Sequence, residues 1–136
     1  MAAVCDRVVV VLGARAAEIR RGVDLHGAQT VDCPDWPEGI FASLRCGLAA
    51  LGDEPDAVVV ALGDQPSLTR ERIEAVLAAG LPLARATHGG IPSHPVVIRR
   101  AALGDLTHPA LRAAEPVELG PLADIDTPED LIRLRK

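Results

Sequence analysis

Aromatic residues are almost absent from this sequence. Its 136 residues include one tryptophan (Trp36), one phenylalanine (Phe41) and no tyrosine, although 49% of the chain is apolar. The core must therefore be built from alanine, valine, leucine and isoleucine, which suits helices packed on a sheet. A chain of this length is enough for one globular domain, so we expect residues 1–136 to form a single domain.

Basic clusters are also missing. The formal net charge is −5, and arginines occur at most in short pairs such as Arg20 with Arg21. Binding to nucleic acid, which depends on neutralising phosphates, is therefore not expected. The one lysine is Lys136. A P-loop kinase needs an internal lysine on the triphosphate, so that class is excluded.

Long apolar runs and paired cysteines are lacking as well. No apolar stretch reaches the ~20 residues of a membrane-spanning helix, and the N-terminus has no basic region followed by a signal core. We therefore predict a cytoplasmic protein without a membrane partner. The cysteines are Cys5, Cys33 and Cys46, an odd number without a C-x-x-C pair. In a domain of this size we expect them to be reduced thiols.

Strand and helix signals alternate along the chain. Residues 8–12 read VVVVL, a run typical of a strand buried on both faces of a parallel sheet. Thr69 fits a helix N-cap and Gly80 a helix end. The alternation predicts an α/β fold with a parallel sheet. The predicted strands are residues 7–12, 28–33, 56–62, 83–87 and 96–99, and the predicted helices are residues 14–21, 43–51, 69–79 and one opened by Thr127.

Asp64 follows the strand predicted at residues 56–62, between Gly63 and Gln65. Ligands in open α/β sheets collect outside the carboxyl ends of the strands, which is where this carboxylate lies. It either binds a hard cation such as Mg²⁺ or caps the turn before the next helix. A haloacid-dehalogenase-type phosphatase is disfavoured, because no second acid stands two places after Asp64.

A second acidic segment precedes the C-terminal helix. Asp124 and Asp126 alternate in a short extended piece, which places them on the same face. Asp126 is either a second ligand of the same cation or a residue that benefits from the dipole of the helix after it. Both alternatives stay open on the residues alone.

Several motifs together resemble those of the MobA-like nucleotidyltransferases, most closely the molybdenum cofactor cytidylyltransferase branch. They occur in the order found in that family and extend over nearly the whole chain. The motifs are residues 34–39 (PDWPEG) followed by 43–48 (SLRCGL), 62–66 (LGDQP), 93–96 (SHPV) and 124–130 (DIDTPED).

The resemblance implies a three-layer, Rossmann-like fold of the nucleotide-diphospho-sugar transferase type with a mostly parallel sheet. It implies transfer of CMP or GMP from CTP or GTP to a phosphate of a molybdopterin-type acceptor, with release of pyrophosphate and with Mg²⁺ as cofactor. Metal ions and positioning supply most of the catalysis in such transfers.

The resemblance also implies site residues. Asp64 matches the metal-binding aspartate and Asp126 the acid that faces it, so both are predicted to be catalytic. Residues near the nucleotide or the acceptor are Gly39, Ser43, Leu44, Gly63, Gln65, Pro66 and His94. The residues alone leave His94 open as a hydrogen-bonding turn residue, and a zinc site with His88 is not expected because the other ligands are missing.

One element of the family pattern is not found. The family begins with a strand and a glycine-rich triphosphate loop, whereas this chain leads directly into the second strand, so we expect the first strand, loop and helix to be missing. The strands around residues 8–12 and 57–62 are then expected either to pair directly with each other or to be completed by a second chain, in a homodimer or with a complementing chain. Partial unfolding is the remaining alternative. The alternative function is a non-catalytic binding module that retains only the acceptor half of the pocket.

Overall fold

A computed structural model describes residues 5–65, 68–104, 106–121 and 127–129. The chain divides into two units, residues 1–55 and residues 56–136, and each is described by itself. The single-domain organisation of residues 1–136 stays a prediction. Among the residues described, no helix combines the length and the apolar character needed to cross a bilayer.

Over residues 5–55, the first unit contains two parallel strands and two helices. Val9 lies opposite Gln29 and Leu12 opposite Asp32, so the apolar run pairs with the second predicted strand. The elements are β1 (Val9–Leu12), α1 (Ala16–Gly22), β2 (Gln29–Asp32), a 3-10 turn (Trp36–Glu38) and α2 (Ile40–Leu51). These positions confirm the predicted order of elements, and α2 begins three residues earlier than predicted.

Helix α2 packs against β1 at a position that has no room for a side chain. Gly47 is buried, and a Cβ atom built on it would lie 2.9 Å from Cγ2 of Val11. Helix propensity alone disfavours a glycine in the middle of a helix. The close approach of the helix to the strand therefore explains why glycine occurs here.

Replacing Gly47 with alanine is expected to lower the free energy of unfolding by about 1–2 kcal/mol. The branched Val11 side chain is stiff and cannot turn away cheaply, so the clash outweighs the gain in helix propensity. Gly22→Ala is the matched control, because a Cβ there meets nothing within 4 Å. Urea unfolding should show Gly22→Ala to be neutral or stabilising, and equal effects of the two variants would contradict this account of the packing.

Two of the three cysteines are joined, contrary to the prediction of reduced thiols. Cys33, directly after β2, and Cys46, in α2, form a disulfide with their Cα atoms 5.8 Å apart. The prediction was wrong because it rested on number and spacing, whereas the pairing arises from the packing of α2 next to the end of β2. Cys5 remains a free thiol, and burial raises its pKa.

In its described residues, the second unit contains a four-stranded mixed sheet and the helices α3 to α5, whose bounds are given below. The sheet order is β3-β5-β4-β6, in which β5 runs antiparallel to both neighbours while β4 and β6 are parallel. The elements are β3 (Ala57–Val60), α3 (Arg70–Ala78), β4 (Leu83–His88), β5 (Ile91–Arg99), α4 (Arg100–Leu103), α5 (His108–Arg112) and β6 (Glu115–Glu118).

Strands β4 and β5 form a hairpin that the sequence did not predict. The strands predicted at residues 83–87 and 96–99 leave residues 88–95 as a long connection. In the structure the turn consists of Gly89 and Gly90 alone, with φ of +58° and +79°. Positive φ at both central residues matches the right-handed twist of a hairpin. Because this connection is tight, β5 returns antiparallel, and the sheet is mixed where we expected it to be mostly parallel.

The core of this unit lies between α3 and the sheet. Val76 of α3 packs with Ala84 and Ala86 of β4 and with Val97 of β5, all of them buried. The predicted cap is confirmed, since the hydroxyl of Thr69 accepts a hydrogen bond from the Arg72 amide. Helices packed on a mixed sheet confirm the predicted α/β class.

The predicted pairing of the two valine-rich strands would join the first unit to the second, and it stays a prediction. In the described part of the chain, β1 pairs with β2 and β3 pairs with β5, in separate sheets.

Candidate functional site

A cavity of about 360 Å³ opens in the second unit, beyond the carboxyl end of β3. Its walls come from the segment after β3, from the two sides of the β4–β5 hairpin and from the segment after β6. It combines apolar side chains with a few polar groups, as small-molecule sites do. The lining residues are Leu62, Gln65, His88, Ile91, Pro92, Ser93, His94 and Pro121.

The segment after β3 forms a turn in which the amide of Gln65 donates to the carbonyl of Leu62 over 3.3 Å. Gln65 is 8% exposed and lines the cavity. Asp64 is exposed beside it, and its carboxylate forms no ion pair with any residue that the structure describes. An exposed carboxylate without a cationic neighbour has the donor chemistry that a hard divalent cation prefers.

Ser93 and His94 lie in a bulge of β5. Arg85 of β4 pairs with Val96 and Thr87 pairs with Pro92, so three residues of β5 face a single residue of β4 between these pairs. Bulges bend a strand and re-aim its side chains, which is why they are common beside active sites. The bulge explains how a strand carries Ser93 and His94 into a cavity wall, and the His94–Pro95 peptide within it is cis.

Glu118, in the neighbouring strand β6, forms hydrogen bonds with the β4–β5 hairpin. Its carboxylate accepts hydrogen bonds from the Thr87 hydroxyl, at 2.8 Å, and from the Gly89 amide. The Thr87 hydroxyl and then the Gly89 amide hold the pKa of Glu118 below its ordinary value of 4.5. The ionised carboxylate therefore fixes the turn between two lining residues, His88 and Ile91.

Replacing Glu118 with glutamine is expected to destabilise the protein near neutral pH and to change nothing in strong acid. The folded-state pKa is lowered, so the ionised carboxylate stabilises the fold above pH 4.5, and this contribution is lost as pH falls through the lower folded value. Glu115→Gln, in the same strand, is the matched control. Urea unfolding between pH 3 and 7 checks this, and a pH-independent difference between wild type and Glu118→Gln would contradict it.

The predicted site residues fall into three groups. Asp64, Gly63, Gln65 and His94 lie at or beside the cavity, in the second unit. Gly39 precedes α2, and Ser43 and Leu44 lie in its first turns, within the first unit. Asp126 and Pro66 lie outside the described residues. Within the described ranges, no three histidine, cysteine, aspartate or glutamate side chains form a metal cluster.

Sequence reasoning missed two residues that shape the cavity walls, Glu118 and Arg72. Arg72 of α3 donates to the carbonyls of His94 and Gly120 and to the hydroxyl of Ser93. The only sequence signal for Arg72 is its place three residues after the N-cap Thr69, and nothing in the pattern of residues 115–118 marks Glu118.

The chain belongs to the MobA-like NTP transferase domain family, whose match covers residues 1–118. Among curated proteins, it is similar to nicotine blue oxidoreductase of Paenarthrobacter nicotinovorans, with 33% identity over 98 residues. The match covers 71% of this chain and 47% of that protein, so the chain spans about half the length of this curated relative.

Solved structures with the same fold come from mycobacteria. A homologue of Rv0371c from Mycobacterium sp. strain JC1 is 25% identical, with a TM-score of 0.74 over 98% of this chain and 77% of that one. Rv0371c of Mycobacterium tuberculosis is 21% identical, with a TM-score of 0.72 over 95% and 75%. Its complex with manganese is 23% identical, with a TM-score of 0.71 over 95% and 77%.

Proposed function

We propose that this protein is a Mg²⁺-dependent nucleotidyltransferase of the molybdenum cofactor type that acts in the cytoplasm. It transfers CMP or GMP from the corresponding triphosphate to a phosphate of a molybdopterin-type acceptor and releases pyrophosphate. Membership of the MobA-like NTP transferase family supports the nucleotidyl chemistry. The order of the motifs in residues 34–48, 62–66 and 93–96 supports the cytidylyltransferase branch.

The observation that carries the proposal is the position of Asp64. Its exposed carboxylate lies in the turn between Leu62 and Gln65, and both of these residues line the cavity. A divalent cation held there neutralises triphosphate charge and polarises the reacting phosphorus. A protein of the same fold was crystallised with manganese, which supports a divalent cation in this fold. Asp126 is the proposed second ligand.

The cavity is proposed to hold the acceptor. Leu62, Ile91, Pro92 and Pro121 offer apolar contacts to a flat ring system, while Ser93 and His94 offer polar groups. Gly63 leaves space beside the carboxylate, and Gln65 lines the cavity. Pro66 is also proposed to contact the nucleotide or the acceptor. Gly39, Ser43 and Leu44, at the start of α2, are proposed to contact the nucleoside.

A second candidate is an oxidoreductase, and the name of the curated relative favours it. Such an activity requires a reductant, so consumption of NADH or NADPH separates it from nucleotidyl transfer. A third, the non-catalytic binding module, predicts binding of the acceptor without turnover.

The test is a transfer assay with Mg²⁺, molybdopterin and either CTP or GTP, in which pyrophosphate release and the mass of the product are measured. The proposal predicts one pyrophosphate for each dinucleotide formed and none without acceptor. Acceptor binding without pyrophosphate release identifies the binding module. Oxidation of NADH or NADPH in the presence of nicotine blue, again without pyrophosphate, identifies the oxidoreductase.

A further inference from the structure

Arg72 connects α3 to two separate walls of the cavity. Its Nε donates to the carbonyl oxygen of His94 over 2.8 Å, and its Nη2 donates to the hydroxyl oxygen of Ser93 over 3.2 Å. Its Nη1 donates to the carbonyl oxygen of Gly120 over 2.7 Å. Ser93 and His94 line the cavity, and Gly120 precedes another lining residue, Pro121.

These bonds use the rigid geometry of the guanidinium group. Its planar fork presents several donors in fixed directions, so a single side chain sets the relative positions of its acceptors. The acceptors lie 21, 22 and 48 residues away in the chain. No ion pair links Arg72 to an acidic residue in the described ranges. The guanidinium therefore fixes two backbone carbonyls and one hydroxyl group instead of balancing a charge.

The helix offers an internal comparison. Arg70, two residues earlier in the same first turn, forms an exposed ion pair with Glu74 at 2.8 Å. Exposed pairs of this kind contribute little to stability, and this one lies within the helix. Arg70 and Arg72 thus share residue type, helix and helical turn, but only Arg72 reaches the bulge of β5 and the segment after β6.

A second arginine supports the same bulge from the sheet. Nη2 of Arg85, in β4, donates to the carbonyl oxygen of Ser93 over 3.2 Å, and burial lowers the pKa of Arg85. Ser93 is therefore bonded at its hydroxyl by Arg72 and at its carbonyl by Arg85. Of these two arginines, Arg72 is the one that also bonds Gly120.

We propose that Arg72 is a positioning residue for the acceptor. It sets the orientation of His94 and the distance between the bulge and Pro121, and so determines whether the acceptor phosphate is presented to the donor nucleotide. This inference rests on the proposed function, in which the cavity is the acceptor site. Arg72 acts through its hydrogen bonds to His94, Ser93 and Gly120.

The test compares Arg72→Gln and Arg72→Lys with the control Arg70→Gln. The protein has four histidines, His26, His88, His94 and His108. The test records their ring Cε1–H signals by NMR and assigns them with single His→Asn variants. Arg72→Gln is expected to shift or broaden the His94 signal and to leave His26 and His108 in place. Arg70→Gln is expected to change none of the four.

In the transfer assay, Arg72→Gln is expected to raise KM for molybdopterin at least tenfold and to leave KM for CTP within twofold. Arg72→Lys, which keeps the charge but loses the fork, is expected to fall between wild type and Arg72→Gln. Should Arg72→Gln fail to fold, Arg72→Lys provides the same two readouts.

An unchanged His94 signal in Arg72→Gln, or equal changes in Arg72→Gln and Arg70→Gln, overturns the inference. The NMR measurement needs no turnover. A wild-type protein that transfers no nucleotide therefore refutes the proposed function, while the His94 signal still decides whether Arg72 positions this wall of the cavity.

Discussion

Replacing Asp64 with asparagine is expected to lower the rate of nucleotidyl transfer by about 100-fold or more, which corresponds to ~2.7 kcal/mol of lost transition-state stabilisation. Asparagine keeps the size and one oxygen of the side chain but removes the negative charge that attracts a divalent cation. The free energy of unfolding should change by less than ~0.5 kcal/mol, because the side chain is exposed and has no charged partner among the described residues. Steady-state kinetics over a range of Mg²⁺ concentrations and urea unfolding measure the two effects.

Asp56→Asn is the matched control for this prediction. Asp56 precedes β3 and Asp64 follows it, so the two carboxylates mark opposite ends of one strand. Asp56 forms an exposed ion pair with Arg100 at 3.1 Å and lies outside the cavity. Full activity in Asp56→Asn and its loss in Asp64→Asn support the metal role. A large loss of stability in Asp64→Asn with unchanged activity assigns Asp64 to the turn alone.

Replacing Ile98 with alanine is expected to lower the free energy of unfolding by about 3–4 kcal/mol. Ile98 is 0% exposed and lies in β5 opposite Val58 of β3 and Leu83 of β4. Removing three carbon atoms leaves a cavity at the centre of the sheet that fixed strands cannot close. Urea unfolding followed by circular dichroism measures the loss.

Ile91→Ala is the control, because Ile91 lies in the same strand and is 66% exposed. This variant should lower the free energy of unfolding by less than ~1 kcal/mol, mainly because alanine has a lower strand propensity than isoleucine. Equal losses in the two variants would contradict the packing described for β5. Trp36 lies in the first unit, so its fluorescence, followed beside circular dichroism, also tests whether residues 1–136 unfold as the single predicted domain.

Local sequence signals predicted those helices and strands in which every residue favours the same type of secondary structure. The valine runs predicted β1 and β3, and Thr69 with Gly80 predicted both ends of α3. The first half of β5 was missed because Pro92 and Pro95 are unfavourable in a regular ladder. The bulge opposite β4 accommodates them, and a bulge has no local sequence pattern of its own.

The sequence predicted the site residues that belong to a short motif. It did not predict the residues whose role depends on contacts with distant parts of the chain. Asp64, Gln65 and His94 were predicted from short motifs, and two of them, Gln65 and His94, line one cavity. Arg72 and Glu118 were missed because their partners are distant in the chain and are partly backbone groups, which any residue type supplies. The bond between Cys33 and Cys46 was missed because it depends on the packing of α2 next to the end of β2, which the number and spacing of the cysteines do not show.

The most direct test of the central claim, that the chain binds a nucleoside triphosphate through a divalent cation at Asp64, is calorimetric titration with CTP in the presence and absence of Mg²⁺. The account predicts saturable binding of CTP with Mg²⁺, at least tenfold weaker binding in excess EDTA, and the same loss in Asp64→Asn with Mg²⁺ present. Equal affinity for CTP with Mg²⁺ and with EDTA, or no heat of binding at millimolar CTP, would contradict it.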